Sequence, residues 1–514
     1  MARTITAASL HDAGTNIWAE IIRFRWPLIA ATVLALLARA QGIAMPRYSI
    51  DGYAPDRPDI HSAIMQNGRW GFVLTSWLLS QLGYAGMDVV PSALILSTAL
   101  LIGAGFVYAR VLFGEPGAFD VFVFISLFAL HPFNTEFFTF SDVTLTITLA
   151  IFLASVGLAC TNATARPWTG LAAGGFLLVL ATSIYQLALV DAVVVGLLSL
   201  IGRTPTIKPT QTRRRTLLRY ASLPQARGLF VLIAAAMAYL ACTLAVRRIF
   251  GLALSERLGN ALSFGGGERV KILIASLRLV LKPPAGLVTD LASSILIGLL
   301  LAAALAIVLD LLNRGIIHAI LGVLILLASG IVAVSLCAAE QSMYLTPREL
   351  SPFSIWAAGV IALGWHSTRL ATVRYCLGFA LALLLWSFVG SSNRILYDQW
   401  RSNLWDRQQA NRILMRLEDN PGFRDIHALV LVNGNWRFGS ELSTTIGDMN
   451  GSAFGTEWAK LPMMEQTTGF RFGEPSAKEA ESAKEYCKAA GVWPSPDSAV
   501  IRDGVAIVCL PQPD

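Results

Sequence analysis

Apolar stretches long enough to cross a lipid bilayer recur between residues 26 and 389, and no other feature restricts the fold as much. Hydrocarbon offers no partner to a free backbone N–H or C=O, so segments of this kind are helical. Each crossing needs about 20 apolar residues to span about 30 Å. The chain has 514 residues, 55% of them hydrophobic and 14% charged, where a soluble domain has roughly 25% charged. These observations predict an α-helical polytopic membrane protein.

The first span is expected over Trp26–Met45, with Arg23 and Arg25 on its cytoplasmic flank. Ala38-Arg39-Ala40 has the small-x-small form of a signal-cleavage site, but the region before it is long for a signal, so a retained anchor is expected. Further spans read as Val89–Tyr108, Phe119–Leu130, Val143–Cys160, Leu229–Ala245, Leu287–Leu309, Ile316–Cys337, Ile355–Trp365 and Tyr375–Val389. Gly71–Leu82 is apolar but too short to span, and reads as an interfacial helix.

Gly170–Gly202 is too long for one crossing, about 50 Å of helix at 1.5 Å per residue. Its middle carries Ser183, Tyr185, Gln186 and Asp191. Two half-depth spans, 170–183 and 187–202, meeting in a cavity at Ser183–Gln186 are one reading; a single long tilted helix is the other. With the two half-spans the count is about eleven transmembrane helices. Residues 203–227 then lie inside, where Lys208 and six arginines with no acid form the strongest positive-inside signal. That signal accounts for the net charge of +7 without invoking nucleic acid, for which aromatic interleaving is lacking. The segment Arg247–Gly286 is also basic although the count puts it outside; a phosphate-handling external loop would reconcile the two.

Beyond Gly390 the composition changes. Ser391–Asn420 has a helical apolar pattern, His427–Val432 reads as a strand, Ala477–Ala490 as a helix, and Ala499–Leu510 as a hairpin around Asp503-Gly504. The expected organisation is a membrane domain over 1–390 and a small C-terminal α/β periplasmic module over 391–514. Cys487 and Cys509 suggest a disulfide there, which requires an oxidising compartment. Cys160, Cys242, Cys337 and Cys376 read as small packing residues. The sequence has no zinc-ligand cluster, Walker loop or dinucleotide fingerprint, and GGGERVK at 265–271 lacks the ending that cradles phosphate. The reading calls for no cofactor and no metal.

Polar residues concentrate where the count places the external face: 48–70, with Asp51, Asp56, Arg57, Asp59, His61 and Arg69; 131–142, with Glu136 and Asp142; 183–186; and 338–352, with Glu340, Tyr344, Arg348 and Glu349. A solvated headgroup-level loop explains such charge, and so does an active site. In the second reading Asp51 or Asp56 takes a proton from an acceptor hydroxyl, while Arg57 or Arg69 holds a phosphate through the planar guanidinium fork. Arg348 is inferred as a further phosphate contact. Asp191 is expected to face the protein interior, because a charge at the bilayer centre is costly. Transporters tend to carry their charges at the midplane on broken helices, and most charges here sit at span ends.

YSIDGYAPDR, NGRW, HPFNTEFFTFSD, SIYQ and NRILYDQWRSNLWDRQQANRI, in that order, resemble the bacterial serotype-converting O-antigen glucosyltransferases, a group of the polytopic GT-C class. The resemblance runs from about residue 25 to 420. It implies transfer of glucose from a polyprenyl-phosphate donor to a lipid-linked glycan at the periplasmic face of a bacterial inner membrane, with the N-terminus cytoplasmic. It also implies Asp51 as the base, and Arg69, Tyr185, Gln186 and Glu136 as site residues. Where that family often has a second acid, this chain has Gly52, which leaves the second role to Asp56. The expected partners are the lipid-linked sugar donor, the lipid-linked glycan acceptor and membrane lipids. The other function classes open to such a chain are a transporter or flippase of lipid-linked sugars, and a structural membrane protein.

Overall fold

The computed structural model describes residues 18–53, 58–84, 89–140, 143–162, 167–202, 224–263, 265–284, 286–341, 345–434 and 451–511. The described chain is mostly helical. Helix α1 (Arg25–Ala38) and the short α2 (Ala40–Ala44) are separated at Arg39. A loop with a single 3-10 turn at Asp51–Tyr53 leads to α3 (Pro58–Gln66) and α4 (Trp70–Gln81). Then come α5 (Val90–Phe113), α6 (Ala118–Leu130), α7 (Pro132–Thr139), α8 (Thr144–Thr161), α9 (Pro167–Ile184) and α10 (Leu187–Gly202). They are followed by α11 (Pro224–Phe250), α12 (Glu256–Ala261), α13 (Gly267–Leu281), α14 (Asp290–Arg314), α15 (Ile316–Ala333), α16 (Leu336–Ala339), α17 (Pro352–Ser367) and α18 (Ala371–Glu418).

Among the described residues six helices are long and apolar enough to cross a membrane, or seven if the pair α6–α7, bent by 51°, is one broken span. Three shorter apolar helices lie at Arg25–Ala38, Trp168–Ile184 and Leu187–Gly202. The helices pack around one apolar core in which α6, α17 and α10 contribute Phe124, Phe128, Ala358, Leu363, Val195 and Leu198. Trp26, Phe176, Phe230, Leu301, Phe379 and Trp386 point outward, as expected of side chains whose solvent is lipid rather than water.

One segment differs from the sequence expectation. Residues 131–140 are not a simple loop: Pro132–Thr139 is a helix with every residue buried. Its polar groups find partners inside the bundle. Asn134 Nδ2 donates to Phe128 O at 2.6 Å and to Ser354 Oγ at 3.0 Å, and the Thr135 and Ser392 hydroxyls lie 2.8 Å apart. No break in secondary structure accompanies the change of composition near 390: α18 runs through that point for 48 residues. Helical hydrogen bonding is internal to the segment, so a change from apolar to polar surroundings does not interrupt it.

The C-terminal half of α18 is the spine of the α/β module. Strands β1 (Ala428–Val432), β2 (Ala499–Arg502) and β3 (Val505–Cys509) form a sheet in the order β1-β3-β2, with β1 parallel and β2 antiparallel to β3. The β2–β3 turn uses Asp503 and Gly504 at φ of 49° and 75°, the left-handed geometry of a two-residue hairpin. Helices α19 (Glu457–Thr468) and α20 (Ala477–Ala489) complete the module. Its main core joins Ile413 and Leu417 of α18 to Leu429, Phe454, Met463 and Val508, and also takes in Tyr53 from the first loop. Cys487 on α20 and Cys509 on β3 are joined in a disulfide.

Candidate functional site

The helix break at Tyr185–Gln186 separates α9 from α10, and the polar cluster is built against it. Gln186 is held by two acceptors: its Nε2 donates to Asn67 O at 2.8 Å and to Tyr239 Oη, on α11, at 3.0 Å. Its own Oε1 accepts from Arg69 Nε at 3.0 Å. The Arg69 guanidinium carbon lies 4.9 Å from the centre of the Tyr185 ring, within cation–π range. Arg69 is thereby fixed by its Nε and by one face of its plane. Its terminal Nη1 and Nη2 have no protein acceptor among the described residues.

Local sequence explains how the Arg69 segment comes so close. Gly68 has φ of 78°, and a Cβ there would overlap Tyr239 Oη. A Cβ on Gly71 would overlap Ser183 Oγ at the end of α9. The glycines flanking Arg69-Trp70 let the start of α4 sit directly on α9 and α11. Trp70 Nε1 adds a bond to Thr243 Oγ1 at 3.3 Å.

Behind Tyr185 stands Glu136 of α7, fully buried. Its Oε1 accepts from Arg348 Nη1 at 3.0 Å and its Oε2 from the Arg348 backbone N–H at 2.5 Å. The Arg348 guanidinium also lies over the Phe140 ring, 4.7 Å from its centre. The expectation of Arg348 as a phosphate contact therefore meets a guanidinium already charge-matched inside the protein. Phe137 packs edge-on against Tyr185 at 5.9 Å. The Tyr185 hydroxyl is buried without a hydrogen-bond partner among the described residues, within electrostatic reach of Glu349, Arg69, Arg348 and Glu136.

The sequence reading passed over the role of two acids here. Glu349 is buried, with Oε1 at 4.0 Å from Arg257 Nη1 of α12. Arg257 arrives because Ser255, just before α12, donates its N–H to Gln66 O at 3.4 Å. Glu340, at the end of α16, is half-buried and has no ion-pair or hydrogen-bond partner for its carboxylate among the described residues. Burial, reinforced by Glu349 and partly offset by Arg257 and Arg69, pushes the Glu340 carboxyl up to about 7. Both acids stand within the polar run 338–352, but nothing local to that run singles them out from Arg348 or Tyr344.

Asp51 takes a different direction. Its Oδ1 accepts from Trp458 Nε1 of α19 at 3.2 Å. The same loop is tied to α18 by the Tyr48 N–H, which donates to Asn403 Oδ1 at 2.7 Å, and Tyr48 stacks on Tyr53 at 4.7 Å. Residues 48–53 thus belong to the module contact, and Asn67–Trp70 to the Tyr185 cluster. Asp56 and Arg57, and likewise Asp142, Tyr344 and the basic loop up to residue 223, lie outside the described residues. Asp191 is buried on α10, in reach of Tyr108.

Two further buried cations were not apparent from sequence. Arg39 donates to Ala35 O and Ala129 O and stacks 4.1 Å from the Phe138 ring centre. Arg47 donates to Gln399 Oε1 at 2.6 Å and to Phe138 O at 2.7 Å. They bind carbonyls in the last turns of α6 and α7, where the helix dipoles favour positive charge. Both accepting helices are remote in sequence, so no local signal marks these arginines.

The arrangement offers an oriented guanidinium with open terminal nitrogens, an orphaned buried hydroxyl and an unpaired carboxylate, which suits a ligand bearing an anionic group and a labile proton. No family model, curated protein or solved structure matches this chain significantly.

Proposed function

We propose that this chain is an inner-membrane glycosyltransferase of GT-C-like build, moving a hexose, glucose by resemblance, from a polyprenyl-phosphate donor to a lipid-linked glycan of the O-antigen type at the periplasmic face. The observation that carries this reading is the posture of Arg69: locked through Nε by Gln186, laid over Tyr185, with both Nη atoms unpaired among the described residues. Such a fork suits the two oxygens of a phosphodiester. Six long apolar helices, the bent pair, three shorter apolar helices and Pro352–Ser367 supply eleven crossings in this reading. On this reading the count is odd and the basic loop cytoplasmic, which is the ground for assigning the disulfide-bonded module to the periplasm, in keeping with its chemistry.

The test uses membranes containing the full chain, a radiolabelled polyprenyl-phosphate-glucose and a lipid-linked acceptor glycan. The expected result is label in a new glycosidic bond, and loss of donor binding in Arg69→Ala. Label that crosses the vesicle without forming such a bond would instead identify a flippase. Mass spectrometry of the surface polysaccharide with and without the gene should differ by one hexose.

A further inference from the structure

We infer that Glu340 is the group that takes the proton from the acceptor hydroxyl, and that Asp51 serves instead to hold the first external loop against the module. This rests on the transferase reading above and names the proton acceptor within it.

Three observations converge. The Glu340 carboxylate has no partner among the described residues, although it lies in electrostatic reach of Arg69, Arg257 and Glu349. The hydroxyl of Tyr185, whose ring carries the Arg69 guanidinium, is buried and lacks a hydrogen-bond partner among the described residues. At a binding site a ligand oxygen would complete such a group. Asp51, by contrast, is engaged by Trp458 of the module. In the Tyr185 cluster Glu136 is spent on Arg348 and Glu349 stands against Arg257, which leaves Glu340 as the carboxylate without a bond of its own.

The step balances as a single displacement. The acceptor hydroxyl oxygen attacks the anomeric carbon of the donor sugar and forms the new glycosidic C–O bond. The bond from that carbon to the phosphate oxygen breaks, and its electron pair leaves with the polyprenyl phosphate, which gains one negative charge. Arg69 Nη1 and Nη2, with the Tyr185 hydroxyl, receive that charge. The hydroxyl proton passes to Glu340.

Glu340 faces a mixed environment: Glu349 before α17, Arg257 on α12, Arg69 before α4, Tyr239 on α11 and Cys337 on its own helix. Helix α13, packed on α16, turns Ile272 and Ser276 inward, pairs Lys271 with Glu268 at the surface and spends Arg269 on the Asn260 and Ser263 carbonyls. The net effect holds the carboxyl near 7, so its basic form grows as pH rises through neutrality.

The full chain in proteoliposomes, with labelled polyprenyl-phosphate-glucose and acceptor glycan, is assayed from pH 5.5 to 9 for wild type, E340Q, E340D and D51N. In E340Q kcat should fall about 10²–10⁴-fold, the usual value of general-base help, while donor binding measured directly stays within a few-fold. The wild-type rate should climb with pH through about 7, and E340D should recover part of the rate. E340Q that binds donor and turns over at the wild-type rate, or a comparable loss confined to D51N, overturns the inference and leaves the transferase reading standing. Absence of any transfer by wild type overturns both.

Discussion

Arg348 binds both oxygens of one buried carboxylate: its backbone N–H and its Nη1 reach Glu136 at 2.5 and 3.0 Å. The two residues are 212 positions apart in the chain, so this bond ties the short buried helix Pro132–Thr139 to the loop preceding Pro352–Ser367. Removing one partner of such a pair leaves an uncompensated charge in the interior. Arg348→Ala is expected to lower stability by about 3–5 kcal/mol, read as a fall in Tm of the detergent-solubilised protein. Glu136→Gln keeps an acceptor for the backbone N–H and should cost less.

Gly71 sets how closely Arg69 approaches the Tyr185–Gln186 break, because a Cβ there overlaps Ser183 Oγ. Gly71→Ala should displace the start of α4 and lower kcat/KM about a hundredfold, the scale set by a misplacement of about 1 Å. Ser183→Gly added to it should restore part of the loss, since the side chain is the nearest obstacle. A double-mutant cycle on transfer rate measures this coupling.

Asp406 gives the module a pH dependence. It is buried on α18 beyond the apolar stretch, where its Oδ1 accepts from Ser452 Oγ at 2.5 Å and its Oδ2 from Ala453 N at 2.8 Å. Burial pushes its carboxyl up from 3.8 to about 7, against the pull of these two bonds. The folded state therefore holds a proton that the unfolded chain releases between about pH 4 and 7, and stability falls as pH rises across that window. Melts at pH 4 to 8 should show this slope in wild type and its reduction in Asp406→Asn.

The Cys487–Cys509 disulfide closes a loop over a sequence separation of 22 and fastens α20 to the sheet. Its loss in Cys487→Ser/Cys509→Ser should reduce module stability by about 3 kcal/mol. Limited proteolysis should then cut the C-terminal region faster, with the membrane helices unaffected.

What could be read from the chain was what depends on neighbours in sequence. Apolar run length marks helices suited to lipid. The interruption of Gly170–Gly202 by Tyr185 and Gln186 marks a break, and the structure ends one helix at Ile184 and begins the next at Leu187. Alternation around Asp503-Gly504 marks the hairpin, because two consecutive left-handed residues suit few other settings. The same local reasoning failed at HPFNTEFFTFSD, where Asn134, Thr135 and Glu136 look like solvent-facing groups. They are buried because Ser354, Ser392 and Arg348 satisfy them. At Gly390 the change in composition has no counterpart in the backbone, where the helix runs on unbroken.

The sequence alone thus determined the material of the protein: apolar helices, a basic loop, a small sheet and a set of charged residues at the span ends. Only the tertiary structure decided which charges meet. It turned Asp51 toward Trp458, spent Arg348 on Glu136, laid Arg69 over Tyr185 with its Nη atoms open, and left the Glu340 carboxylate without a partner among the described residues. The reason is that burial in lipid depends on the local run of side chains, whereas the partner that satisfies or frees a buried charge comes from segments hundreds of residues away.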